Sequence, residues 1–470
     1  MKNSIEYLIL FFSISLCAQN ISGKWIGPIE SGKKEPVVFN FTFEKTAENY
    51  TTTIDIPVLR VSGLKPKTTT FSNGIVFVDG SNLGFTFQGT FKPNTQQIDG
   101  IFTEGVNALP LTLKRSDIQT TDTSKRPQEP VKPYPYKEEE VTFKNKNANL
   151  SLAGTFTLPN KPGKFPVVIL ISGSGPQDRD ETFYEHKPFL VLADYLTRQG
   201  IAVLRYDDRG TGKSTGDHSL ANTKDLASDV QSAIAYLTTR NDIDQTKIGL
   251  IGHSEGAIIA PMVANLDKNI SFIVMLGGTG ISGSEVSLYL AKKTRGFPVE
   301  DEIVFEQAIK KAITIAASNK PLDEIKKELQ IHYNEAIVPM LKPIINSDTK
   351  IAAIITNLIE IRTSAWNRYF YNYNPADELE RVTCPVLVLN GSKDKQVQPK
   401  INQNAIRNAL IKGDNKDFLV QEIPNLNHLF QECKTGEMDE YSAIEQTIAP
   451  IVLQQISDWI LMRNKSPYNQ

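Results

Sequence analysis

The chain is poor in the residues that would mark several common protein classes. It has three cysteines in 470 residues. Cys17 lies in the N-terminal targeting stretch, so Cys384 and Cys433 are left, too few for a disulfide framework. Cys384 falls in an apolar strand run and reads as a core residue. Cys433 has no basic or metal-like cluster around it. No disulfide and no metal site are expected, and no cofactor. Charge of one sign is also missing: 51 basic residues against 53 acidic give a net charge of −2. With no dense Lys/Arg block, the chain carries no field for nucleic acid or an anionic membrane. No apolar run reaches the roughly 20 residues needed to cross a bilayer.

What the sequence does have begins with its first residues. Lys2, an apolar stretch over 5–16 and Cys17-Ala18-Gln19 follow the layout of a secretory signal peptide, with cleavage after a small residue. Residues 1–18 are therefore expected to be a signal peptide and the protein to be exported, periplasmic or secreted. Leu16 is bulky where a lipoprotein signal carries a small residue, so Cys17 reads less well as a lipidation site.

Residues 19–115 alternate apolar and polar positions in short runs, at 37–43, 51–56, 74–78, 84–91 and 109–113, with turn signals at Asp79-Gly80 and Asp99-Gly100. That period and those breaks predict six to eight antiparallel strands in a small barrel or sandwich. Nothing in it carries chemistry. Residues 116–136, rich in Thr, Ser, Pro and charge, cannot build a core and read as a linker.

Beyond the linker the pattern changes. Antiparallel lead-in strands over 141–143 and 150–158 precede buried strands at 167–171, 201–206, 247–252 and 272–276, with helices at 189–198, 220–238 and 256–265 between them. Such alternation predicts a doubly wound, mostly parallel sheet covered on both faces. The rhythm pauses over 281–374, where helices are expected at 302–317, 322–332, 336–341 and 350–361. It resumes over 375–465 with strands at 384–390 and 417–423 and a closing helix over 444–462. The first part of the α/β core thus spans 137–280. The interruption, roughly ninety residues long, suits a helical cap over a site rather than a plain loop.

Gly252-His253-Ser254-Glu255-Gly256 is a G-x-S-x-G run between a predicted strand and a helix. A serine on so sharp a turn is presented above the sheet edge. The residues two before and two after approach too closely for side chains, which is the reason for Gly252 and Gly256. Ser254 is the candidate nucleophile. A serine hydroxyl needs a base and the base an orienter. His428 follows the last strand and is the candidate base. Asp394, in the loop after the 384–390 strand, is the candidate acid, with Asp377 the runner-up. His186, His218, His253 and His332 lack that context, although His253 is placed to line a pocket. An oxyanion needs two backbone N–H donors. Glu255 supplies one by position. Ser174 supplies the other from the loop 172–180, with Gly175 next; Pro176 has no N–H. The run Asp207-Asp208-Arg209-Gly210-Thr211-Gly212-Lys213-Ser214 ends like a phosphate loop but has Asp207 where the pattern requires glycine, so no nucleotide is expected.

Together, the 172–180 loop, the 207–212 turn, Gly252 to Gly256, the 384–394 segment and Asn427-His428 resemble the α/β-hydrolase superfamily over roughly residues 140 to 463. Within it the chain resembles bacterial two-domain esterases of the dienelactone-hydrolase-like and serine-aminopeptidase-like groups. The resemblance implies a carboxylesterase acting on short-chain acyl esters, with a small-molecule ester as partner. Ser172 stands where many relatives have His beside the oxyanion loop. A serine peptidase of aminopeptidase type and a non-catalytic binding protein are the alternatives. The absence of a long apolar segment in the mature chain argues against a lipase. Oligomeric state is left open.

Overall fold

The computed structural model describes residues 20–464 apart from 30–36, 47–48, 57–60, 105–106, 116–125, 295–298, 300, 344 and 346. The expected signal peptide and most of the first half of the expected linker therefore lie outside the described residues. The chain forms two compact units, 1–121 and 122–470.

The first unit is built from β1 (Gly23–Ile29), β2 (Val37–Lys45), β3 (Tyr50–Ile56), β4 (Val61–Leu64), β5 (Thr68–Ser72), β6 (Ile75–Gly80), β7 (Phe85–Lys92), β8 (Gln97–Glu104) and β9 (Asn107–Arg115). Neighbours run β2-β1-β9-β8-β7-β6-β5-β3, and β2 pairs again with β3, which closes a ring of eight; β4 lies against β3 outside it. The barrel reading of the sequence holds, with more strands than the pattern revealed. Period two explains the closure. Along β7, Phe85, Phe87 and Phe91 point inward while Gln88, Thr90 and Lys92 face out. The interior is filled, with Trp25, Phe41, Phe43, Phe87, Ile54 and Ile98 fully buried.

The second unit carries β10 (Lys137–Asn145), β11 (Leu150–Leu158), β12 (Phe165–Ile171), β13 (Ala202–Tyr206), β14 (Ile243–His253), β15 (Phe272–Leu276), β16 (Val386–Gly391) and β17 (Phe418–Ile423). They form one sheet in the order β10-β11-β13-β12-β14-β15-β16-β17. β10 and β11 are antiparallel; from β13 to β17 every pairing is parallel. Alternate strand residues feed two separate cores. Val167, Ile169, Leu250, Met275 and Val388 join one, while Val168, Leu170, Ile251, Val274 and Leu389 join the other. That is why these strands read as unbroken apolar runs rather than as alternation.

Helices cover both faces: α1 (Pro188–Arg198), α2 (Thr223–Leu237) and α3 (Gly256–Leu266) follow β12, β13 and β14. From β12 the chain steps one way to β13 and then back past it to β14, so the carboxyl ends of β12 and β14 form a topological switch point, where open α/β sheets bind ligands.

Between β15 and β16 come α4 (Gly283–Thr294), α5 (Glu302–Ala316), α6 (Leu322–Ala336), α7 (Val338–Leu341), α8 (Asp348–Thr363), α9 (Ala365–Asn372) and α10 (Pro375–Leu379). The insertion has an apolar cluster of its own, including Phe305, Ile313, Leu329, Tyr333 and Ile355. Buried Arg362 is satisfied inside it by the hydroxyls of Tyr333 and Tyr371. Sequence periodicity marks α5 to α8 but misses α4, α9 and α10, the first two of which carry charged or aromatic residues in place of a clean apolar stripe. It also misses α11 (Pro399–Lys412), whose polar face outweighs its apolar one. The closing helix, α12 (Pro450–Asn464), starts later than expected, after a short 3₁₀ turn over 438–443. Cys384 lies just before β16 rather than inside it. It is partly buried against the core, which raises its thiol pKa to about 11, and both described cysteines are free.

Candidate active site

Ser254 follows the last residue of β14 and precedes α3 with a backbone φ of +51°, the left-handed region that costs a non-glycine residue strain. Its amide donates to the Leu276 carbonyl at 2.8 Å, which ties the turn to the end of β15. The two glycines are needed for contact reasons. A Cβ on Gly252 would lie 2.0 Å from the Gly256 carbonyl oxygen, and one on Gly256 would lie 2.1 Å from the Ile171 carbonyl oxygen.

His428 and Asp394 are brought together as expected. His428 Nδ1 lies 2.7 Å from Asp394 Oδ2, and both residues are buried. The other carboxylate oxygen, Oδ1, accepts the amides of Gln396 and Val397, each at 2.8 Å. A carboxylate fixed on one side by two amides orients the imidazole on the other, with Nδ1–H toward Asp394 and Nε2 left as the basic nitrogen. Asp377, the alternative acid, sits at the start of α10 beside Asn374 instead. The His428 ring packs over Gly277, whose imagined Cβ would be 3.2 Å from it. Gly277 follows Leu276, so Ser254 and His428 flank one strand end.

The 172–180 loop lies beside the turn: a Cβ on Gly173 would be 3.2 Å from that of Ser254. Its shape is held by carboxylates. The Gly173 amide donates to Glu181 Oε1 at 2.7 Å. The Ser172 hydroxyl and the Gln177 amide both donate to Asp208. The amide and guanidinium of Arg179 donate to Asp207. Gly173 is therefore spent as a donor, whereas among the described residues no hydrogen bond engages the amides of Ser174 or Glu255. Ser172 and Gln177 are thus both anchored on Asp208. Burial, with Glu255 and Asp229 nearby, pushes the Asp208 carboxyl well above its ordinary range against those donations.

The phosphate-loop lookalike folds around its own anion. Asp207 accepts the Lys213 amide, and the Ser214 hydroxyl donates to the Asp207 carbonyl.

Three contributors were not legible in the sequence. Glu181 faces His253 Nδ1 at 2.8 Å; it sits in the acidic run 178–181, where nothing marks which acid turns inward. Trp366 on α9 donates Nε1–H to Glu255 Oε1 at 2.6 Å, and the Thr223 hydroxyl donates to the same oxygen at 2.7 Å. Glu255 thus joins the nucleophile turn to the cap. Burial pushes its carboxyl above the usual range, and the hydroxyls and indole only partly oppose that. The other histidines lie elsewhere: His186 sits between Thr447 and Tyr441, and His332 bonds the Ala308 carbonyl within the cap. Among the described residues no group of three or more His, Cys, Asp or Glu is placed to hold a metal ion, and no helix is long and apolar enough to cross a membrane.

Sequence relatives place the chain in the α/β-hydrolase superfamily. A sequence model of the X-Pro dipeptidyl-peptidase (S15) family matches residues 149–408, more than half of the chain, and the protein belongs to that family. The match names neither the dienelactone-hydrolase-like nor the serine-aminopeptidase-like group. The chain is 27% identical over 314 residues to esterase EstD of Thermotoga maritima, covering 66% of this chain and 64% of EstD. It is 32% identical over 87 residues to the polyketide transferase claH of Penicillium crustosum, 18% of this chain and 28% of claH. The chain thus spans less than two thirds of the length of these curated relatives. Among solved structures, the Pyrococcus furiosus esterase Pf2001 aligns with 14% identity over 70% of this chain and 90% of its own, at a TM-score of 0.43. Est1E of Butyrivibrio proteoclasticus, solved with ferulic acid bound, aligns with 15% identity over 69% and 99%, at a TM-score of 0.41.

Proposed function

We propose that the protein is a carboxylesterase acting on short-chain acyl esters, with Ser254 as nucleophile, His428 as general base and Asp394 as its orienter. The observation that carries this reading is the buried His428 Nδ1 to Asp394 Oδ2 contact of 2.7 Å beside a serine on a strained turn. In the first step His428 Nε2 takes the Ser254 proton as Oγ attacks the ester carbonyl. The unengaged amides of Glu255 and Ser174 hold the oxyanion. His428 then protonates the departing alcohol, and water, deprotonated by the same nitrogen, releases the acid from the acyl-enzyme. Ser254→Ala should abolish p-nitrophenyl acetate turnover and labelling by a fluorophosphonate while the protein stays folded; turnover at the unmutated rate would refute the assignment. A binding protein without catalysis would leave the probe unattached.

The family match favours a second reading, a serine peptidase that removes short N-terminal units from small peptides. Assaying aminoacyl-arylamides beside aryl esters separates the two. We also propose export, supported by the sequence of residues 1–18; N-terminal sequencing of the mature protein tests it.

A further inference from the structure

Glu181 and His253 take no part in the steps above, yet both are nearly fully buried at the centre of the site, 4% and 7% exposed. Glu181 Oε1 accepts the Gly173 amide at 2.7 Å and lies 2.8 Å from His253 Nδ1. On the far side of the ring, His253 Nε2 lies 3.0 Å from the backbone carbonyl oxygen of His428. One chain of contacts therefore runs from the residue before Ser174 to the main chain of the candidate base, through the residue before the nucleophile.

The chemistry of the partners narrows the state of the ring to two. A carboxylate and a backbone carbonyl only accept hydrogen bonds, and a neutral imidazole has a single N–H. With Glu181 ionised, both contacts are satisfied only when both ring nitrogens carry protons. With the proton on Glu181 Oε1, that oxygen donates to a bare Nδ1 and still accepts from Gly173, leaving a single ring N–H toward the His428 carbonyl. The two states differ in charge on the ring, and the nearby Asp394 carboxylate favours the cation.

We propose that Glu181 and a doubly protonated His253 form a positioning pair that holds the oxyanion loop and the His428 loop in register across Ser254. The inference rests on the esterase reading of Ser254 and His428. Neither residue touches the reacting atoms. Glu181 sets the path of the 173–174 backbone and so the direction of the Ser174 amide, while His253 fixes the His428 main chain from which the imidazole reaches toward Ser254. A donor displaced by a few tenths of an ångström from a developing oxyanion loses much of its worth, so the pair acts on the transition state more than on binding.

The pair also shapes the charge around the base. The His253 and His428 rings lie 4.7 Å apart between centroids. When His428 takes the serine proton, two cations stand side by side, matched by the carboxylates of Glu181 and Asp394. Burial pulls the His253 imidazole down, but Glu181, the His428 carbonyl and Asp394 together bring it above its ordinary value. Loss of the second ring proton at alkaline pH releases one of the two contacts, so turnover falls there through His253.

The test compares the wild type, Glu181→Gln, His253→Gln and the double variant on p-nitrophenyl acetate, with fluorophosphonate labelling alongside. The Glu181→Gln amide keeps an oxygen for the Gly173 N–H but removes the charge that holds the second ring proton. Each single variant should lose about tenfold or more in kcat with KM changed much less, and the double variant should be little worse than either, as for residues acting as a unit. The alkaline fall in kcat present in the wild type should be missing in His253→Gln. Variants within twofold of wild-type kcat, a change confined to KM, or an unaltered alkaline limb would overturn the proposal. NMR of the wild type, if a variant does not fold, should show two ring N–H protons on His253 at neutral pH; a single one overturns it equally. Failure of the wild type to label at Ser254 would instead refute the esterase reading, and the ring protons would still decide the state of His253.

Discussion

At the scale of single residues, the site depends on a few atoms with no spare room. Asp394→Asn keeps the shape of the acid but turns an N–H toward His428 Nδ1 and favours the wrong tautomer. Its kcat should drop about 10³–10⁴-fold with the fold intact, measured by steady-state kinetics and thermal melting. Glu255 gives a prediction about pH. Its carboxyl is raised in the fold, chiefly by burial. A raised acid contributes stability that is full below its unfolded value, about 4.3, and is lost as pH rises through the folded value. Glu255→Gln removes that loss. The Tm of the variant relative to wild type should therefore climb as pH rises above about 4.3; parallel Tm curves for the two proteins would show that the buried carboxyl is not coupled to folding.

At the scale of elements, α9 is the piece of the cap that reaches the nucleophile turn. Trp366 stacks on Phe370 with ring centroids 4.8 Å apart and sends its indole N–H to Glu255. Trp366→Phe keeps the stack and removes the donor. It should cost about 1–3 kcal/mol in stability, as for a hydrogen bond lost at a buried acceptor, and change the ranking of esters by acyl length. A small fluorophosphonate should still label Ser254. An unchanged ester ranking would mean that α9 does not border the acyl pocket. In the loop before α1, the Ser172 hydroxyl ties the loop to Asp208, just past the end of β13.

For the whole molecule, the barrel and the hydrolase unit each bury a core of their own. Phe41 is fully buried in the barrel against Phe39, Phe43 and Phe87. Phe41→Ala should destabilise the barrel by about 3–5 kcal/mol, read as early loss of barrel fluorescence or protease resistance. Ester turnover below that transition should stay at the wild-type level, and a matching loss of turnover would assign the barrel a part in catalysis. Acid sets a further limit. Burial works to raise the Asp207 carboxyl, but Arg179 and the Lys213 amide hold it below its ordinary value. Its contribution is present above about 3.9 and is lost as pH falls through the folded value.

Much of this protein follows from the sequence read locally. Period-two alternation makes the barrel strands, unbroken apolar runs make the parallel sheet, and Gly252 and Gly256 mark a turn that only glycines permit, because these signals depend on near neighbours in the chain. The order of Ser254, Asp394 and His428 is also legible, since each follows a recognisable strand. What only the tertiary structure decides is which polar groups meet across distant loops. Nothing near Glu181 in the sequence distinguishes it from Asp178 or Asp180, and nothing near Trp366 points to Glu255. Their partners arrive from strands and helices tens to hundreds of residues away, and burial and the charges that face each group then shift how readily it holds a proton.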